Sequence, residues 1–172
     1  YLGGGTPSIL SPPQFGRLFD WIDAHFDRRG ADEQTVELNP EHVDGPRLDA
    51  LVDCGVDRVS LGVQALGSRG LQQLGRVHER DRALAAVAAC VERFETSVDF
   101  ILGWQGQRLR GDEALLDQLA QVQALGVRHL SLYALTIEEG SAWPGLVRRG
   151  LRADVDEDEQ ATLLEGAEAW LV

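Results

Sequence analysis

An α/β fold, a partial (β/α) barrel of about five parallel strands with outer helices, is predicted by three features of the sequence. Five short segments rich in Val, Leu, Ile and Tyr alternate with helical ones. The helical segments carry recognisable start and stop residues. Gly55-Val56-Asp57-Arg58-Val59-Ser60-Leu61 is echoed by Gly126-Val127-Arg128-His129-Leu130-Ser131-Leu132, each reading as helix stop, short loop and strand. The same alternation also fits an open doubly wound sheet, and in both folds ligands bind where strands end and loops begin.

The strand candidates are Tyr1-Leu2, Thr35 to Leu38, Arg58 to Val63, Val98 to Leu102 and His129 to Leu135. Their composition reads as strands buried on both faces. Ser11 caps the first helix, with Pro12 at its first position and Phe15, Leu18, Phe19, Ile22 and Phe26 along one face. Asp44 starts the second, with Leu48, Leu51 and Val52 inward and Gly55 as its stop. Leu84, Val87 and Val91 mark a third. Asp112 caps a fourth, where Leu115, Leu116, Leu119, Val122 and Leu125 recur before Gly126. A last helical pattern runs from Glu159 to Val172. Residues 1–140 read as the barrel core, and 141–172 as a linker and helix leading to a further C-terminal region. A chain opening on a strand end and closing inside a helical pattern reads as an excerpt from a longer protein.

Composition narrows the function. The 172 residues, 44% apolar and 26% charged, suffice for one globular domain with a hydrophobic core. A net charge of −12 disfavours nucleic-acid partners. All 16 basic residues are Arg, which removes the Schiff-base lysine of aldolase-type barrels and the lysine of a P-loop. Cys54 and Cys90 form no metal-spaced pair and read as buried apolar fillers. No apolar run approaches the roughly 20 residues of a membrane span, and no leader pattern opens the chain, so the cytoplasm is the expected location.

Polar or glycine residues stand at each strand exit. Gly3-Gly4-Gly5-Thr6 leaves bare backbone N–H groups for a carboxylate or phosphate, although a tight turn explains the run equally well. Glu37 and Asp99 are carboxylates inside apolar runs, where burial without a partner costs several kcal/mol. Glu37 is expected to face a ligand, with Arg58 on the neighbouring strand as the alternative partner. Gln64 offers both donor and acceptor. Arg76 can clamp a carboxylate. His78 and His129 lack ligand-spaced partners and read as structural or surface residues. Together the set suits a ligand with ammonium, carboxylate and ribose hydroxyls, such as an amino-acid–nucleoside conjugate.

These residues stand in motifs that resemble a known family. Tyr1-Leu2-Gly3-Gly4-Gly5-Thr6-Pro7-Ser8, Glu37-Leu38-Asn39-Pro40-Glu41, Arg58-Val59-Ser60-Leu61-Gly62-Val63-Gln64, Leu74-Gly75-Arg76-Val77-His78 and Leu130-Ser131-Leu132-Tyr133-Ala134-Leu135-Thr136-Ile137-Glu138 follow in order. They resemble the radical S-adenosylmethionine (SAM) proteins of the oxygen-independent coproporphyrinogen III oxidase family. The Asn39-Pro40-Glu41, Leu74-to-His78 and Leu135-to-Gly140 stretches are closer to its heme chaperone (HemW) branch. The resemblance implies that Gly4, Gly5, Thr6, Glu37, Gln64, Arg76 and Asp99 contact SAM, with Thr136 a weaker inference. It also implies a [4Fe–4S] cluster, heme or porphyrin(ogen) as a second ligand, and heme-acceptor proteins as partners.

Two departures accompany the resemblance. The family's C-x-x-x-C-x-x-C loop is absent and would lie upstream of Tyr1, and neither Cys54 nor Cys90 matches it. Where the family reads Leu-Pro-Gly-Gln, this chain has Trp104-Gln105-Gly106-Gln107, and the missing proline is expected to loosen that loop. Three functions stand open at this point: a heme carrier, a porphyrinogen oxidase using a SAM-derived radical, and a barrel binding an unrelated phosphate ligand.

Overall fold

The computed structural model describes residues 1–111, 113–141 and 143–171. Four parallel strands form its sheet: β1 (Thr35–Leu38), β2 (Arg58–Gln64), β3 (Glu95–Leu102) and β4 (His129–Ala134). They lie side by side in chain order, β1-β2-β3-β4. A doubly wound sheet reverses direction at a switch point. This sheet has no reversal, so its winding is that of a barrel, here an open arc. The Tyr1-Leu2 candidate contributes one parallel bridge, Leu2 to Val36, at the β1 edge.

Both sheet faces were expected to be apolar, and only one is. The strands alternate with period two. Val36, Leu38, Val59, Leu61, Val63, Val98, Phe100 and Leu102 are buried in the core. The register puts Glu37 beside Ser60, Gly62 beside Asp99, and Asp99 beside Ser131 on the opposite face. β4 departs further, because among the described residues no strand covers its outer edge and His129, Tyr133 and Ala134 are exposed.

Helices close the apolar face. α1 (Pro12–His25) starts after Ser11, whose N–H donates to Gln14 Oε1 at 2.8 Å. Phe15 and Phe19 are its buried residues. Phe26, expected on that face, is 61% exposed, because the chain turns extended there and leaves the helix. α2 (Gly45–Asp53) is capped by Asp44, which accepts from the Arg47 N–H at 2.8 Å. Its Leu48 and Leu51 are buried, whereas Val52 is 48% exposed, one position round the helix from the buried stripe. Gly55, at φ +76°, ends it, and the Val56 N–H donates back to the Leu51 carbonyl.

The short α3 (Ser68–Gln73) precedes α4 (Arg80–Val91), which buries Ala83, Ala86, Val87 and Cys90. α5 (Leu115–Ala124) buries Leu115, Leu116, Leu119 and Val122, and its expected cap, Asp112, lies outside the described residues. α6 (Trp143–Arg148) is followed by α7 (Glu157–Leu171), whose Leu163 and Ala167 join the core. Burying a leucine or phenylalanine fully is worth roughly 1.5–3 kcal/mol. This one core therefore fixes the direction in which every strand presents its polar face.

Candidate functional site

A cleft of about 300 Å³ opens where the strands end. Of the residues expected to act, Gly5, Thr6, Glu37, Gln64, Arg76 and Asp99 line it together, joined by Asn39, Ser60 and Tyr133. Gly4 sits just behind, its N–H donating to Glu37 Oε2 at 3.3 Å. Thr136, two residues beyond β4, is not among the lining residues.

Two carboxylates dominate the site. Tyr1 donates its hydroxyl to Glu37 Oε1 at 2.9 Å. A Cβ on Gly3 would fall 2.5 Å from the same oxygen, so glycine there is what lets Glu37 fold against the turn. The alternative pairing with Arg58 is not formed: Arg58 reaches Glu33 at 3.5 Å and His129 at 3.3 Å instead. Asp99 accepts from Ser60 Oγ, at 3.0 and 2.9 Å to its two oxygens. Burial raises the Asp99 pKa; hydrogen bonds from Ser60 and Ser131 oppose this, and the nearby Glu37 charge adds to it. The Tyr1 phenol is also raised, first by burial and then by Glu37.

Glycine spacing shapes the rest. A Cβ on Gly62 would fall 2.7 Å from Gln64 Nε2 and 3.2 Å from Asn39 Oδ1, so both amides close over that bare position. The turn after β1 is anchored underneath. Asn39 N–H donates to the buried Ser8 Oγ at 3.0 Å, and Ser8 lies 3.0 Å from His42 Nδ1. Arg76 follows Gly75, whose φ of +65° ends α3 and lets the Arg76 N–H return to the Leu71 carbonyl. Arg76 borders both the cleft and a neighbouring hollow of about 500 Å³. A larger hollow, about 600 Å³, lies near the end of α1, where Arg28 already pairs with Asp23; its charges are spent on one another.

The Trp104–Gln107 loop keeps its turn without proline. The Gln107 N–H donates to the Trp104 carbonyl at 3.0 Å across Gly106, whose φ is +79°. That is a type II turn with Gln105 at the position proline favours. Gly103 N–H to Gln107 Oε1 at 2.7 Å and Gln73 Nε2 to the Gln105 carbonyl at 2.8 Å tie it down.

The donor set suits one implied cofactor and not the other. Two acceptor carboxylates, an arginine, an amide and bare backbone fit a ligand with an ammonium group, a carboxylate and hydroxyls, which SAM is. The cysteines do not suit an iron–sulfur cluster. Cys90 is buried in α4 with its pKa pushed up to about 12, far from a thiolate. Cys54 caps the end of α2, half-buried where full burial was expected but packed against the core as a filler, and burial raises its pKa too. Among the described residues, no three His, Cys, Asp or Glu groups are placed to hold a metal.

Several of these contributors are silent in the sequence. Ser60 and Tyr1 support the carboxylates, and His78 and Gln118 lie buried nearby. The one legible signal is Gln118, a polar residue inside the apolar stripe of α5.

Comparison with known proteins identifies the family and the fold. The family model described as the Radical SAM superfamily matches residues 1–134. The heme chaperone HemW of Mycobacterium tuberculosis is 38% identical over 173 residues, covering 99% of this chain and 44% of that protein. The mouse mitochondrial radical S-adenosyl methionine domain-containing protein 1 is 35% identical over 167 residues, 96% of this chain and 37% of that one. This chain thus spans less than half the length of these curated relatives. Among solved structures, coproporphyrinogen III oxidase (HemN) from Escherichia coli superposes with a TM-score of 0.78 at 24% identity, covering 98% of this chain and 38% of that one.

Proposed function

This chain belongs to the radical SAM superfamily, and from that premise we propose that its strand-end cleft binds SAM within a heme chaperone of the HemW type. One observation carries the first part. Glu37, Asp99, Gln64 and Arg76 come from four separate segments and face one small polar cleft beside the glycine turn. Glu37 and Asp99 accept from the ammonium group, Arg76 faces the carboxylate, and Gln64 takes a ribose or carboxylate oxygen. Gly4, Gly5 and Thr6 supply the backbone wall, and Thr136 is a peripheral contact. Bound beside a reduced [4Fe–4S] cluster, SAM supplies one-electron chemistry. Such a cluster is held on thiolates, and among the described residues no trio of ligands stands to hold it.

The heme-carrier part rests on the relatives named heme chaperones. A carrier would bind heme and pass it to acceptor proteins in the cytoplasm. Among the described residues, no helix is long and apolar enough to cross a membrane. The test uses the complete protein with its cluster. Heme binding without conversion of coproporphyrinogen III under anaerobic conditions is the expected result. Conversion would favour the oxidase, and failure to bind heme would sink the carrier.

A further inference from the structure

Gln64 ends β2 in a backbone conformation that few residues other than glycine adopt. Its φ is +67°, and the Ala65 N–H donates back across it to the Val63 carbonyl at 2.8 Å. An i→i+2 bond over a positive-φ residue is the rare, strained form of γ-turn. The β2–β3 register shifts at the same place, between Gly62 and Gln64. The turn has a direction. It folds the carboxamide back over Gly62 and brings Gln64 into the lining of the cleft.

One side chain from elsewhere holds this turn, and a second holds the residues that follow it. His78 is 5% exposed, and its Nε2 lies 3.2 Å from the same Val63 carbonyl. A carbonyl only accepts, so Nε2 carries the proton. Gln118, 2% exposed on α5, accepts at Oε1 from the Leu66 N–H at 2.5 Å and the Gly67 N–H at 3.3 Å. Its Nε2 donates to the Glu113 carbonyl at 2.6 Å. A buried amide is costly unless bonded, and this one is bonded at both ends. Neither His78 nor Gln118 lines the cleft.

We propose that His78 and Gln118 are positioning residues, which hold a strained γ-turn that aims the Gln64 carboxamide at the cofactor. Strained backbone persists only where its surroundings over-determine it, and a buried histidine on Val63 with a buried glutamine on Leu66 and Gly67, just past the turn, are such surroundings. The aiming part rests on the SAM reading of the cleft; the strain part does not.

Two measurements on the complete protein separate them. The first is thermal unfolding of Gln64→Gly and Gln64→Ala. At an ordinary backbone position the alanine variant is the more stable. At a strained positive-φ turn the order reverses, and the glycine variant melts about 2–4 °C higher. Alanine melting higher would overturn the strain.

The second is SAM affinity by calorimetric titration. His78→Leu weakens binding about tenfold, and His78→Gln, which keeps a donor for the Val63 carbonyl, recovers most of it. In a Gln64→Gly background, His78→Leu changes affinity by less than about twofold, because no carboxamide is left to aim. An equal loss in both backgrounds would overturn the positioning role. If His78→Leu fails to fold, Gln118→Met against Gln118→Glu, which keeps the acceptor for Leu66 and Gly67, runs the same cycle. A wild-type protein that binds no SAM would sink the cofactor reading and with it the aiming, while the melting order still decides the strain.

Discussion

Ser60 Oγ lies 3.0 and 2.9 Å from the two carboxylate oxygens of Asp99, so one hydroxyl proton serves both. The two residues sit on neighbouring strands, and Ser60 is buried. This contact and the Tyr1–Glu37 bond are what let two carboxylates share a small cleft with a single arginine on its lining.

The pH behaviour of Asp99 follows from its raised pKa. A carboxyl whose folded pKa exceeds its unfolded value favours folding in the protonated form. Its contribution is full below the unfolded pKa and is lost as pH rises through the folded value. Asp99→Asn is therefore expected to raise the melting temperature at neutral pH and flatten its pH dependence in the acid range. SAM affinity falls in the same variant. Ser60→Ala acts oppositely on stability, costing about 1–3 kcal/mol by leaving the carboxylate short of a donor. Unfolding curves between acid and neutral pH check both signs.

Gly3→Ala tests the glycine turn. The new Cβ meets the far end of the Glu37 side chain rather than backbone, and Gly3 is not among the positive-φ glycines. Glu37 is displaced and the fold is kept. The expected result is a melting temperature within about 2 °C of wild type and SAM affinity lower by about tenfold. Affinity unchanged in a folded variant would detach Glu37 from the ligand.

Gln105→Pro tests the turn that departs from the family pattern. Gln105 occupies the proline-favouring position, and its carbonyl, which proline keeps, accepts from Gln73. Proline there is expected to stabilise by about 0.4–1 kcal/mol, chiefly by restricting the unfolded chain. A lower melting temperature in calorimetry would show that the turn is not of this type.

Much of this arrangement was legible in the sequence. Val36, Leu38, Val59, Leu61 and Val63 mark their strands by composition, and the caps at Ser11 and Asp44 and the stops at Gly55 and Gly126 fall where the helices begin and end. The polar sheet face was equally present in the alternation of Glu37, Ser60 and Asp99. It was masked because these carboxylates read as exceptions inside apolar runs rather than as one face. Phe26 and Val52 were misplaced because spacing alone does not say where a helix stops or how wide its buried stripe is. The γ-turn at Gln64 was not legible at all. It depends on a histidine 14 positions away and a glutamine on α5, contacts that only the folded chain brings together.

SAM binding through Glu37 at the strand-end cleft is read by titrating the complete protein and its Glu37→Ala variant with SAM. The Glu37 side chain lines the cleft, with Tyr1 and Gly4 as its hydrogen-bond donors. SAM is expected to bind the wild type and to bind the variant about tenfold or more weakly, with the melting temperature of the ligand-free protein little changed. Equal SAM affinity in the two proteins would contradict it.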